Sequence, residues 1–318
     1  MFNSIAFCLQ APVGVPDMLT FEEWADHWFT GAQAKLPQID IAIRTAFGAD
    51  RMSWVFASAY QSALRVMVPD APSDEMLSLC VSEAAGNHPR DIQTRIQAMP
   101  SGRLRVNGHK RWAMIGLVPT TLLIVGLTDP GFRGQYSTVR VAKVSVGSVG
   151  LTVQETQITS FIPEVPHCAV DLKNVEIEPE TLLPGDGYYN YVKPFRTLED
   201  LFIAASTLAY LLRVARVHLW PTDYIERVAA TLSVLRGFSN QSPLEALTHV
   251  VLSGSLRLVS QLRIEATELW RRTGGESSQR WDRDCALFNV AEVARQMRRQ
   301  RAWEKLHNEA ASEKQSTP

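Results

Sequence analysis

The chain has 318 residues, and its 32 Lys plus Arg against 33 Asp plus Glu leave a formal charge of -1. That balance provides no whole-chain field for nucleic acid or an anionic membrane surface. At 46% hydrophobic and 20% charged residues the composition is globular and excludes disorder over most of the length, and apolar runs such as Thr121–Leu127 are too short to span a bilayer.

Cys8, Cys80, Cys168 and Cys285 lie far apart with no C-x-x-C pair, which fits neither a zinc knuckle nor a disulfide framework. The seven histidines are scattered, and H-E-x-x-H, P-loop and G-x-G-x-x-G patterns do not occur. Met1–Ala6 has no basic segment ahead of an apolar one, so no secretory signal is read and a cytoplasmic protein is expected.

From about Phe21 to Val68 the apolar period is helical. Trp24, Trp28 and Phe29 share one face, and Trp54, Ala57, Tyr60 and Leu64 another, until Pro69-Asp-Ala-Pro72 breaks the pattern. His27, beside Trp24 and Trp28, reads as a polar residue at a helix interface or as a pocket liner.

From Leu77 to Leu183 the chain turns strand-like. Thr121–Leu127, Thr138–Val146 and His167–Leu172 are separated by Gly and Pro signals, predicting a compact β-sandwich or barrel. After Gly185-Asp-Gly187 it is helical again. Leu198, Leu201, Ala205, Leu208, Leu212 and Ala215 mark a long apolar face, and further helices are expected at about Tyr224–Leu235, Leu244–Arg271 and Trp281–His307. The expected class is therefore a multidomain α+β protein: an N-terminal helical segment (1–76), a β domain (77–187) and a C-terminal helical bundle (188–311), with a disordered tail over 312–318. Such a layout suits a flat cofactor held between a sheet and a bundle.

Three segments in this order carry a family resemblance. Leu79-Cys-Val-Ser-Glu-Ala-Ala-Gly-Asn-His88, with Thr94 beyond it, resembles the C-x-T-E-P-x-A-G-S-D strand and turn of the acyl-CoA dehydrogenases, one residue shorter and without the Pro. Asn107-Gly-His-Lys-Arg-Trp112 resembles their N-G-x-K-x-W, and Asp171–Leu183 with Gly187 their F-x-x-V-x-V-P-x-x-x-L-L-G-x-x-G. The resemblance covers about Leu77 to His307. It implies an FAD-dependent enzyme that desaturates an acyl-CoA between its α and β carbons, a carboxylate taking the α-proton and the flavin the β-hydrogen as hydride. It also implies an electron-transfer flavoprotein as partner and a homo- or hetero-oligomer with a homologous subunit.

Carried onto this chain, the resemblance places Val81 and Ser82 at the flavin ring edge, Gly86 and Asn87 at its pyrophosphate, and Trp112 against the isoalloxazine. Ser82–Asn87 also reads as an ordinary turn, and Trp112 as a core aromatic. Met114 stands where the family has a Ser or Thr whose hydroxyl reaches flavin N5, so only its backbone N–H would serve.

Two carboxylates compete for the catalytic base. Glu292 follows Arg283-Asp284 at the family's offset, but Val293-Ala294 replaces Gly-Thr, and on an unbroken helix Glu292 lies about 140° from Leu287 at about 100° per residue, away from the apolar face, where it reads as a solvated surface carboxylate. Glu199 sits in Thr197-Leu-Glu-Asp-Leu201 before Ile203-Ala-Ala-Ser-Thr207, as in family branches with the base on the first bundle helix; the plainer reading is an acidic first turn capped by Thr197. Arg236-Gly-Phe238 is the nearest sequence to the family's R-x-x-F-G, and Thr273-Gly-Gly275 to its glycine loop. Arg295, Arg298, Arg299 and Arg301 form a basic turn suited to a coenzyme A phosphate, a partner subunit or plain solvation. These departures motivate an alternative, a non-catalytic or cofactor-poor subunit of a heteromeric enzyme; a flavin monooxygenase is a third reading.

Overall fold

The computed structural model describes residues 3–32, 35–115, 118–130, 138–155 and 158–316. Four helices come first, α1 (Asn3–Gln10), α2 (Phe21–Ala32), α3 (Gln38–Phe47) and α4 (Met52–Met67). The helical stretch read as two segments is thus three, divided at Pro37 and Gly48, with α1 ahead of them. Trp24 and Trp54 stack with centroids 5.9 Å apart. The Trp54 indole N–H donates to the Met18 carbonyl at 2.9 Å, so these rings are buried with that donor satisfied.

Seven strands follow: β1 (Met76–Cys80), β2 (Arg95–Ala98), β3 (Leu104–Met114), β4 (Thr120–Leu127), β5 (Val139–Ser145), β6 (Leu151–Glu155) and β7 (His167–Ile177). They form one mixed sheet in the order β1-β4-β2-β3-β7-β6, with β5 pairing β4 off that path. Alternate residues serve two cores. Leu122 and Ile124 of β4 join an all-β interior with Val106, Val144 and Val170, whereas Leu123 and Val125 pack with the helices. Burial on both faces explains why β4 reads as a continuous apolar run.

The bundle comprises α5 (Lys193–Val217), α6 (Thr222–Phe238), α7 (Ala246–Thr273), α8 (Glu276–Asp284) and α9 (Glu292–Ser316), with a 3-10 segment at Cys285–Asn289. The backbone of α9 continues past Ser312, where the tail was expected to begin; residues 317–318 lie outside the described ones. α5 is buried almost throughout, between α3 and α4 on one side and α6 on another, so the N-terminal helices and the bundle share one core.

Helix α4 also covers the edge of β1. Gln61 exchanges two hydrogen bonds with the Leu77 backbone (2.8 and 3.0 Å), and the Tyr60 hydroxyl accepts from the Leu79 N–H at 2.8 Å. Side chains thus satisfy an edge that would otherwise invite another strand. No helix among the described residues is long and apolar enough to cross a membrane.

Candidate functional site

A cavity of about 710 Å³ opens where the ends of β1 and β3 face α5 and the chain between α8 and α9. Its sheet-side wall includes Leu79, Val81, Ser82, Asn87, Trp112, Met114 and His167. Across from these stand Tyr60 of α4, Phe195, Arg196, Glu199 and Ile203 of α5, and Leu287, Val290 and Ala291.

The sheet-side wall is held by one buried ion pair. Lys110, fully buried, places Nζ 2.6 Å from a Glu83 carboxylate oxygen. Glu83 also accepts from the Gln93 N–H (2.7 Å), the Thr94 N–H (3.1 Å) and the Thr94 hydroxyl (2.7 Å). Burial pushes Glu83 upward, but Lys110, Thr94 and Gln93 outweigh it and hold the carboxyl below its ordinary range. Burial depresses Lys110 despite Glu83. A Cβ on Gly108 would sit 2.3 Å from the Thr94 hydroxyl oxygen, so the strand needs glycine there for Thr94 to reach Glu83. These contacts supply the physical reason for the Glu, Thr, Gly and Lys of the motifs.

Beyond Lys110 a bulge breaks the pairing of β3 with β7, and Trp112 takes φ +64°. Its ring is 52% exposed on the cavity wall, not in the core. His167, the register partner of Met114, packs edge-on to it at 6.2 Å. The N–H groups of Val81 and Ser82 make no hydrogen bond to the other described residues. Two open donors beside an exposed indole fit the edge and face of a flat heteroaromatic ring.

Three other sequence candidates are arranged differently. The Gly86 N–H donates to the Glu83 carbonyl at 3.2 Å and closes the turn on itself; Gly86 has φ +145° and does not line the cavity. The Met114 N–H donates to the Ser78 hydroxyl at 2.8 Å and is already engaged. Arg236 is bound bidentately to Asp40 of α3 at 2.6 and 2.7 Å, which ties α6 to α3 and removes it as a phosphate ligand. Gly274 and Gly275 form the junction of α7 and α8 at positive φ.

The two candidate bases separate. Because the chain leaves α-helix after Asp284 and resumes at Glu292, Leu287, Val290 and Ala291 face the cavity while Glu292 starts α9 outside it. Its carboxylate is 56% exposed and accepts from Gln296 at 2.9 Å, as suits an acid in a first helical turn. Glu292 therefore does not meet the ring-facing residues.

Glu199 does. Helix α5 starts at Lys193, so Thr197 lies inside it rather than capping it, and Arg196, Glu199 and Ile203 face the cavity at helical spacing. The Glu199 carboxyl makes no hydrogen bond or ion pair among the described residues. Burial and the neighbouring Asp200 raise its pKa to about 7, against the opposing charges of Arg295, Arg298 and Arg196. That places a carboxyl of near-neutral pKa across the cavity from Val81, Ser82 and Trp112.

Sequence reasoning passed over two cavity residues. Arg196 donates to the Asn87 carbonyl at 3.0 Å and lies one turn before Glu199 on the same face, a spacing that would have flagged it. His167 is signalled only by its pairing with Met114, which no local pattern reveals. The basic turn is not simply solvated: Arg295 (2.9 Å) and Arg298 both bind Asp200, fastening α9 to α5. His27 is exposed and lies away from the cavity.

No family profile matches the chain, and no curated protein matches it by sequence. Solved structures do match. Butyryl-CoA dehydrogenase from Megasphaera elsdenii superposes with a TM-score of 0.61 at 13% identity over 94% of this chain and 96% of its own. The prolyl acyl carrier protein oxidase AnaB gives 0.67 at 13% over 96% and 97%. The FAD complex of PigA gives 0.65 at 13% over 90% of both chains. At such identities the likeness speaks for architecture: this chain has an acyl-CoA dehydrogenase-like fold.

Proposed function

We propose that the chain is a flavin-dependent oxidoreductase that removes the α and β hydrogens of an acyl thioester, with Glu199 as the base. The observation that carries this reading is the position of Glu199, a carboxyl with pKa about 7 facing the ring-sized, donor-bearing wall of Val81, Ser82 and Trp112. A flavin held on that wall would supply the two-electron oxidant that accepts the β-hydrogen. The Val81 and Ser82 N–H groups would hold the ring edge, Trp112 would cover a face, and Phe195, Ile203 and Leu287 would exclude water. Glu199 would take the α-proton. A base of pKa about 7 retains the proton far better than an ordinary carboxylate and is still about half ionised at neutral pH. FAD, coenzyme A as the thioester carrier and an electron-transfer flavoprotein as acceptor belong to this proposal, as does assembly with itself or a homologous subunit.

A second reading is favoured by the commitments of Met114, which occupies the N5 position, and of Gly86 and Arg236, which leave few donors for a dinucleotide tail among the described residues. On it the chain is a cofactor-poor subunit that completes a partner's site. One experiment separates the two: the visible spectrum of the purified chain, with released flavin quantified. Stoichiometric flavin that bleaches with an acyl-CoA panel in wild type, but not in Glu199→Gln, supports the enzyme. A folded, colourless chain that gains flavin only beside a co-expressed homologue supports the subunit reading.

A further inference from the structure

A second pocket of about 240 Å³ lies between α7 and α9 and shares Asp200 and Arg295 with the large cavity. His249, Ser253, Arg257 and Ser260 present one face of α7, and Arg295, Arg298 and Arg299 one face of α9. Four guanidiniums meet only two carboxylates here, Asp200 and Glu292.

The pairing within the pocket leaves positive charge over. Both Asp200 oxygens are taken, one by Arg295 Nε at 2.9 Å and the other by Arg298. Glu292 lies 3.6 Å from Arg295 Nη1 and already accepts from Gln296. Arg257 and Arg299 have no acidic partner among the described residues. Burial lowers the pKa of Arg298 and of His249, and for His249 the charges of Arg298 and Lys193 add to the effect. Arg257 and Arg299 are exposed at the mouth of the pocket and Arg298 is half-buried within it, so a multiply charged tetrahedral anion would bridge several guanidiniums at once.

We propose that the pocket between α7 and α9 binds a phosphate-bearing small molecule, with Arg257, Arg298 and Arg299 as its cationic ligands. Hydroxyls of Ser253 and Ser260 and the imidazole of His249 stand on the same wall to complete the donor set. Asp200, on the same wall, orients Arg298. This site does not depend on the redox reading of the larger cavity.

The test is titration calorimetry of the full-length chain with sodium pyrophosphate, inorganic phosphate and adenosine 3′,5′-bisphosphate. Two variants accompany wild type. The double variant Arg257→Gln/Arg299→Gln removes the two arginines outside the ion-pair network, and Arg301→Gln is an exposed control on α9 outside the pocket. Saturable one-to-one binding is expected, weakened at least about tenfold in the double variant and unchanged in the control, with thermal unfolding of all three alike. Tighter binding of the bisphosphate than of pyrophosphate would identify a nucleotide-borne phosphate, and equal or weaker binding a free or simple phosphorylated ligand. Absence of saturable binding, or equal affinity in wild type and the double variant, would overturn the proposal.

Discussion

The two walls of the large cavity are built on different principles. On the sheet side, one carboxylate, Glu83, collects Lys110, Thr94 and the Gln93 N–H, so Glu83, Thr94, Gly108 and Lys110 are each defined by a contact with another of them. On the helical side, what faces the cavity depends on where helices begin and break. Glu199 shares the inward face of α5 with Arg196 and Ile203, and Glu292 opens α9 outside the cavity after the 3-10 segment Cys285–Asn289. A wall of mutual contacts is written in short motifs, whereas a wall set by helix phase is not.

The largest expected effect sharpens this contrast. Glu199→Gln should lower acyl thioester oxidation by about 10²–10⁴-fold without loss of bound flavin, while Glu292→Gln should stay within about twofold of wild type in the same stopped-flow assay. Equal losses in both variants would erase the distinction between inward and outward carboxylates.

Breaking the opposite wall should appear as stability. Lys110→Met leaves the buried Glu83 carboxylate without its cation and should cost about 3 kcal/mol in urea unfolding. Gly108→Ala drives a methyl into Thr94 and should cost about 1–3 kcal/mol, with weaker flavin retention because the turn through Ser82 shifts.

A smaller effect follows from linkage. The folded pKa of Glu199 lies above the ordinary glutamate value of 4.5, at about 7, so between those values the native state binds more protons than the unfolded one. Its contribution to stability is therefore fully present below about pH 4.5 and is lost as pH rises through about 7. Glu199 is partly open to the cavity, and the penalty is about 1–2 kcal/mol after screening. Glu199→Gln should remove it, giving a variant with a higher Tm than wild type at pH 8 and a smaller difference at pH 5.

Much of the fold was legible. Period changes at Pro69–Pro72 and Gly185–Gly187 fall between α4, the sheet and α5, and the β4 and β7 runs stand where the sequence put them. Trp112 and Met114 were placed by the N-G-x-K-x-W spacing and do line the cavity. What escaped was long-range. The engagement of the Met114 N–H by Ser78 spans 36 residues, and that of Arg236 by Asp40 spans 196. Sequence offset favoured Glu292 because offsets count residues, whereas the helical wheel already turned it away from Leu287 and the break before α9 leaves it outside the cavity.

The most direct test of the account is the pH dependence of single-turnover oxidation of a bound acyl thioester. With Glu199 as base, the rate should rise with a midpoint near pH 7, and this limb should vanish in Glu199→Gln. A limb with the same midpoint in Glu199→Gln, or one at the ordinary carboxylate pKa in wild type, would contradict it.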